Sequence, residues 1–393
     1  MSGKIKNKFT LVCFANGQWN NLWKRNQSMV AQLANADFVK DVVFITPGAW
    51  PEDNPLITLK SLLDNAAFEN VSNNIYQFKP YHFIPFKSIF SVSGKIENLL
   101  YYKLISNFIS GSDIILLVNT TDYYFCELIE LMINRATFSL YDFSDDFLEF
   151  DYPGNGKKRL SEFITRIIPQ VDAVISVNDH IKNKYTYLNN NSFVIRNATN
   201  FSNFNKPCYD TIDLLESIKT NNQPIIGYSG TANDLRIDVE LLNYLFEKRQ
   251  SWNFVFIGNS EDNLKSRFSS RNNVHFLPAV PYTQLPDYIN YFDVCISPML
   301  VNNHTRGNDL LKLHDYLAMG KPIVSTNIGG ADDYKDIISV VHDHREFLFA
   351  IESELHGSSG IPVDVKLKLA HNNSWEYRIN ELVDLIKHCP AYI

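Results

Sequence analysis

The chain has 393 residues, 45% of them hydrophobic and 20% charged, with 16 Gly and 16 Pro. At roughly 150 residues per domain this length predicts two domains, three at most, and excludes a single small binding module; the composition excludes long low-complexity stretches. With 36 Lys and Arg against 43 Asp and Glu the net charge is −7, which excludes the broadly basic surface that a nucleic-acid partner requires.

The chain opens on a short basic segment that runs straight into a strand-length apolar stretch at 9–14, so no secretion signal is expected, and no later apolar stretch reaches the length of a membrane span. Cysteines at 13, 126, 208, 295 and 389 form no C-x-x-C pair and no zinc spacing. They read as reduced thiols, and the expected compartment is the cytosol. Behind the first strand, Gly17 lies between strand and helix, with Trp19, Trp23, Lys24 and Arg25 close by in sequence. That stretch suits contact with a sugar or phosphate, or the tryptophans belong to the core.

Strands are expected at 42–46, 113–118, 137–141, 173–177 and 193–195, each a short apolar run bounded by polar or Gly/Pro residues. The segment 76–90 is dense in aromatics around Lys79 and Lys87, and its prolines disfavour regular structure. It reads as a surface loop able to make weak, salt-sensitive contact with an anionic membrane, or as a loop tucked over the sheet. Just past the fourth strand stand Asp142, Asp145 and Asp146, where open α/β sheets place ligands. Clustered acids suit a general base; helix capping and a metal site are the alternatives.

The stretch 203–223 lacks a strong strand and marks the domain boundary. Beyond it the rhythm resumes with strands at 224–227, 253–257, 274–276, 294–297, 322–325 and 338–341. Continuous apolar strands alternating with helices predict parallel sheets covered on both faces, and two such series predict two doubly wound domains. The first strand of the second series runs into Gly227-Tyr-Ser-Gly230-Thr231, followed by Arg236. Glycine lets backbone amides approach a phosphate, and a guanidinium grips it. Later, a helix starting near Asn308 carries a leucine stripe, with Lys312 and Asp315 sharing another face before Gly320 ends it. A lysine in a first helical turn suits a diphosphate and an acid one turn on suits ribose hydroxyls; the alternative is a solvated Lys–Asp pair. A last helix from Ser374 has Trp375, Ile379, Leu382 and Ile386 on one stripe.

Taken in order, these segments resemble the GT-B glycosyltransferases, in particular the family-4-like group that builds bacterial surface polysaccharides. Leu311-Lys-Leu-His-Asp-Tyr-Leu-Ala-Met-Gly-Lys-Pro-Ile-Val is similar to that group's Lys-x-x-Glu-Tyr-Leu-Ala-x-Gly-Lys-Pro-Val-Val segment, Ile226-Gly-Tyr-Ser-Gly-Thr to its donor loop, and Tyr141-Asp-Phe-Ser-Asp-Asp to its Tyr-Asp-x-x-Asp-Asp turn. Val194-Ile-Arg-Asn-Ala-Thr-Asn, Asn273-Val-His-Phe-Leu-Pro and Ser374-Trp-Glu-Tyr-Arg resemble further segments in the same order. The resemblance implies an α/β GT-B architecture of two Rossmann-like domains facing across a cleft, with an acceptor-side domain at 1–205, a nucleotide-sugar domain at 206–370 and a closing helix at 371–393 that crosses back to the first domain. It implies diphosphate contacts from Lys312 and Arg236, a ribose contact from Asp315, and a backbone cradle from Gly230 and Thr231. Leu311 and Gly17 complete the donor side. Two departures stand out: the group's first acid of Glu-x7-Glu falls on Gly307, with Asp309 two residues on, and its Asn-Gly turn is Asn197-Ala198.

The implied function is transfer of a sugar from a nucleoside-diphosphate sugar to a glycan or lipid-linked acceptor in surface-polysaccharide synthesis. No metal or cofactor is needed when Lys312, Arg236 and a helix dipole stabilise the departing diphosphate and Asp145, Asp142 or Asp146 serves as base. The expected location is the cytoplasm, at the inner face of the membrane if the 76–90 segment binds lipid. The alternatives are a catalytically silent partner subunit of the same fold and a GT-B sugar-nucleotide epimerase.

Overall fold

The computed structural model describes residues 8–20, 22–49, 67–82, 91–206, 208–219, 223–358 and 360–387. The chain divides into two compact units: residues 1–20, 26–195 and 379–393 form one, residues 21–25 and 196–378 the other. The division after Ile195 falls ten residues ahead of the boundary expected from the weak stretch 203–223. The closing helix Trp375–Lys387 begins in the second unit, and its residues from Ile379 onward count with the first.

The first unit is built on an eight-stranded sheet: β1 (Phe9–Phe14), β2 (Val39–Ile45), β3 (Phe68–Ser72), β4 (Ile75–Phe78), β5 (Asp113–Val118), β6 (Phe138–Phe143), β7 (Ala173–Ser176) and β8 (Ser192–Val194). The strands lie in the order β3-β4-β2-β1-β5-β6-β7-β8, and all pairs are parallel except β3 with β4. β1 is buried at all six positions, as helices on both faces require, and this is why Phe-Thr-Leu-Val-Cys-Phe shows no alternation. The aromatic segment at 76–90 departs from expectation. Its first part belongs to β4, with Gln77 and Phe78 buried, and Lys79 on the exposed side pairs with Glu69 at 2.8 Å. Residues 83–90 lie outside the described residues.

The second unit carries a six-stranded, wholly parallel sheet of β9 (Ile225–Ser229), β10 (Asn253–Ile257), β11 (Val274–Leu277), β12 (Val294–Ser297), β13 (Ile323–Thr326) and β14 (Ser339–Val341), in the order β11-β10-β9-β12-β13-β14. Gly227 in mid-strand is steric: the Phe292 ring occupies the place a Cβ would take. In each sheet the order reverses beside the unit's first strand, between β1 and β5 and between β9 and β12. Open α/β sheets bind ligands past the carboxyl ends of strands at such reversals. Among the described residues no helix is long and apolar enough to cross a membrane. Cys13, Cys126 and Cys295 are buried and Cys208 exposed, all unpaired.

Candidate active site

In the second unit, the loop leaving β9 is shaped by two glycines. Gly230 adopts φ +128 and Gly258, at the end of β10, φ +137. A Cβ at Gly258 would overlap the Gly230 carbonyl, so only glycine lets these two backbones approach. The Gly230 N–H bonds the Ile257 carbonyl at 2.8 Å, and the Tyr228 hydroxyl donates to the Thr231 carbonyl at 2.8 Å, fixing the turn from both sides.

Lys312 reaches this turn from the helix Leu311–Ala318. Its ammonium stands 3.9 Å from the centre of the Tyr228 ring and 3.2 Å from where a Gly230 Cβ would lie. Burial, then the positive charge of Arg236, draw its pKa down from 10.5 to about 7. Among the described residues no carboxylate pairs with Lys312, so two cations are in electrostatic reach of one another beside a glycine turn. The solvated Lys–Asp pair is thereby replaced. Asp315 is 3% exposed, and its Oδ1 accepts from Thr199 Oγ1 and Tyr282 Oη, both at 2.9 Å. Burial raises its carboxyl from 3.8 to about 7 despite those donors.

The helix itself differs from expectation at both its start and its exposed face. It begins at Leu311, not near Asn308, with no side-chain cap on its first turn; Leu311 and Lys312 are half-buried, and every residue from Leu313 to Ala318 is buried. Gly320 does end it, at φ +66, with the Lys321 N–H returning to the Tyr316 carbonyl at 3.1 Å. Asp309, two residues beyond Gly307, turns into the protein: it meets His314 Nε2 at 2.9 Å and accepts from the Asn197 N–H at 2.6 Å. The neighbouring His314 holds its carboxyl below the usual range against the opposing effect of burial. Asn197 also receives Arg25 at 3.1 Å, so the Asn197-Ala198 pair is a buried polar joint; among the described non-glycine residues, positive φ occurs at Asn73 alone.

In the first unit, the three acids separate rather than cluster: Asp142 lies within β6, and only Asp145 and Asp146 follow it. Asp142 is fully buried, with Oδ2 bound by Asn119 Nδ2 at 2.9 Å. Asp146 is fully buried too, held by Lys184 at 2.8 Å and the Tyr185 hydroxyl at 2.8 Å; it neither caps a helix nor meets solvent. Both carboxylates are thus enclosed and bonded within the first unit. Asp145 alone is partly exposed, and its charge adds to burial in raising the Tyr152 phenol to about 12. Among the described residues no group of three or more His, Cys, Asp or Glu is placed to hold a metal ion. Gly17 has negative φ and open space around its Cβ position, so nothing in its surroundings demands glycine. Trp19 packs edge-on against Phe44 in the first unit; in the second, Trp23 stacks on Tyr282 and Arg25 is 3% exposed.

Sequence reasoning missed a cavity of about 230 Å³ lined by Pro47, Gly48, His82 and Thr121 to Tyr124, past the ends of β2, β4 and β5. Its nearest signal was the strand-end rule itself, applied to β6 but not to β5.

Residues 224–356 match the family described as "Glycosyl transferases group 1", about a third of the chain. A curated protein of Bacillus subtilis (strain 168), named as a teichuronic acid biosynthesis glycosyltransferase, TuaH, is 24% identical over 174 residues, 42% of each chain; the match thus spans less than half that relative's length. Among solved structures, an E. coli trehalose-6-phosphate protein bound with UDP-2-fluoro glucose aligns at TM-score 0.69 and 11% identity over 96% of this chain and 99% of that one. Sucrose-phosphate synthase of Thermosynechococcus elongatus aligns at 0.69 and 14% over 97% and 98%. HepE of Anabaena, solved in complex with UDP, aligns at 0.64 and 11% over 96% and 99%. The fold is GT-B.

Proposed function

We propose that this GT-B chain is a glycosyltransferase that uses a nucleoside-diphosphate sugar to extend a bacterial surface polysaccharide. The observation that carries the reading is Lys312, seated over Tyr228 at the Gly230 turn with Arg236 in electrostatic reach and no carboxylate partner among the described residues. Two cations at a glycine-opened strand end repel one another until an anion arrives, and a diphosphate is the anion that the matched family's chemistry supplies. Gly230 and Thr231 line its approach, and Leu311 is half-buried at the first turn of the helix that bears Lys312. Because Asp315 has bound Thr199 and Tyr282 through Oδ1, a ribose hydroxyl would be accepted at Oδ2.

In the reaction the acceptor oxygen forms a bond to the sugar's anomeric carbon as the bond to the diphosphate breaks. The acceptor's proton passes to Asp145, and the charge on the leaving diphosphate is met by Lys312 and Arg236. With that charge met by side chains, transfer proceeds without a metal, and activity in excess EDTA is the check on this point. The likeness to TuaH supports a polysaccharide acceptor. The main test is calorimetry with UDP and GDP, followed by product analysis with their sugar conjugates. Nucleotide binding that Lys312→Ala leaves untouched would refute the site.

The buried Asp309–His314 pair favours a second reading. Asp309 cannot stand in for the acid missing at Gly307 while its oxygens face His314 and Asn197. A silent partner subunit would bind nucleotide yet neither hydrolyse nor transfer the donor sugar; an epimerase would isomerise it without an acceptor.

A further inference from the structure

The cavity in the first unit is walled by chemistry unlike that of the Gly230 turn. His82, 3% exposed, faces a carboxylate at each ring nitrogen: Glu97 Oε1 is 3.3 Å from Nδ1 and Asp122 Oδ2 is 3.2 Å from Nε2. The imidazole thus bridges the two carboxylates and fixes both side chains in place at the cavity wall.

Asp122 is held from every side. Oδ2 also accepts the Gly48 N–H at 2.8 Å, and Oδ1 accepts the Tyr124 N–H at 3.1 Å. A carboxylate offers about four acceptor positions. Three are used, leaving one on Oδ1, and the side chain is 9% exposed at the cavity wall. The ring of His82 abuts Gly48, where a Cβ would overlap it. Beside Asp122 the wall is Pro47 and the rings of Tyr123 and Tyr124, 4.7 Å apart; the Arg159 guanidinium lies 5.9 Å from the centre of the Tyr123 ring and donates to the Tyr124 hydroxyl at 3.4 Å. Thr121 fixes the floor, its N–H and hydroxyl both donating to Asn16 Oδ1 at 2.7 and 3.1 Å.

An open acceptor position on a carboxylate beside aromatic faces takes a hydroxyl donor with apolar C–H faces, and at that position an anionic group would meet the Asp122 oxygen. The volume of about 230 Å³ is below the roughly 300–1,000 Å³ of sites for larger ligands, and suits one ring. We propose that this cavity is a subsite for a single uncharged sugar ring of the acceptor, with Asp122 accepting a ring hydroxyl and His82, braced by Glu97, positioning that carboxylate. Only the word acceptor rests on the transferase reading above; the subsite itself does not.

Saturation-transfer NMR on the full chain tests it, with methyl glycosides of glucose, galactose, N-acetylglucosamine, N-acetylgalactosamine and glucuronic acid, each with and without UDP. At least one neutral glycoside should receive saturation while the glucuronide receives none. Tyr123→Ala, a partly exposed position, should cut the signal about tenfold with Tm and UDP affinity unchanged. Gly48→Ala should do the same by displacing the His82 ring without removing a charge. Glu97→Leu should weaken glycoside binding about tenfold and Glu97→Gln, which keeps a hydrogen-bonding side chain, by far less; in transfer assays the loss should appear in acceptor KM with donor KM unchanged. Silence from every glycoside in the wild type overturns the subsite, as does preference for the glucuronide or unaltered binding in folded Tyr123→Ala. Glycoside binding without UDP binding upholds the subsite and defeats the donor site instead.

Discussion

The two units treat the loops past their strand ends in opposite ways. Past β9 and β10 the second unit uses glycines at positive φ and two cations, Lys312 and Arg236, and leaves Lys312 without an acidic partner among the described residues. Past β1, β5 and β6 the first unit uses amides and acids that satisfy one another: Asn119 binds Asp142 and receives Asn16 and Asn26, and Asp122 is ringed by Gly48, His82 and Tyr124. A low-dielectric site with unbalanced positive charge selects an anion, whereas a polar network that leaves an acceptor position open at a cavity wall selects a hydroxyl. Two sheets of the same winding thus carry loops of opposite chemical character.

The sharpest way to break this comparison is Asp145→Asn. If the first unit supplies the base, transfer should fall by about a hundredfold or more, in line with the 10²–10⁴ that general bases contribute, while UDP affinity and Tm stay unchanged. Steady-state rates beside calorimetry decide it, and transfer at the wild-type rate would assign the base elsewhere.

Asp146→Ala should behave in the opposite sense. Removing one partner from a buried ion pair leaves Lys184 and the Tyr185 hydroxyl unmatched, at a cost of about 3–5 kcal/mol. Denaturant unfolding should show that loss, and the fraction that folds should still bind UDP. A near-neutral effect would mean that Asp146 is less enclosed than its contacts require.

Lys312→Ala probes the other side. A charge-assisted hydrogen bond is worth about 1.5–3 kcal/mol, so nucleoside-diphosphate affinity should drop roughly ten- to hundredfold. Stability should not fall, because the variant relieves repulsion with Arg236. A sharp fall in Tm with unchanged affinity would make Lys312 a structural residue.

How much of this was legible follows from the kind of signal each feature leaves. All twelve strands expected from apolar runs are present; strands buried on both faces, such as β1 and β9, write their burial directly into the sequence, and the outer strands β8, β11 and β14 are less buried but still mostly apolar. β3 and β4 were not: Phe-Glu-Asn-Val-Ser at the sheet edge alternates weakly, and β4 lay hidden in an aromatic stretch read as a loop. Gly230, Gly258 and Lys312 converge through a motif at least half local, so its pieces could be noticed. The His82 site has no such trace, because residues 82, 97 and 122 meet only through strand order. Asp142, Asp145 and Asp146 show the converse limit. Three acids within five positions looked like one site, yet β6 runs on through Asp142 to Phe143, so Asp142 is bonded to Asn119 inside the sheet and Asp146, in the turn, to Lys184 and Tyr185.

A pH dependence follows from the two displaced pKa values of the second unit. Asp315 binds its proton up to about pH 7 in the folded chain against 3.8 in the unfolded one. Between those values the folded state holds more protons, so its contribution to stability declines as pH rises from about 4 to 7. Lys312 is lowered from 10.5 to about 7, so between pH 7 and 10.5 the unfolded state holds more protons and stability recovers with rising pH. The ligand-free protein should therefore show a stability minimum near neutrality, set by the second unit. Asp315→Asn should flatten the acid side of it and Lys312→Met the alkaline side. A diphosphate arriving at pH 8 restores the lysine's proton, so binding there should take up a fraction of one proton, read from calorimetry in buffers of different ionisation enthalpy. Lys312→Met should bind with no such uptake, and wild-type binding without proton uptake would show that the ammonium does not touch the diphosphate.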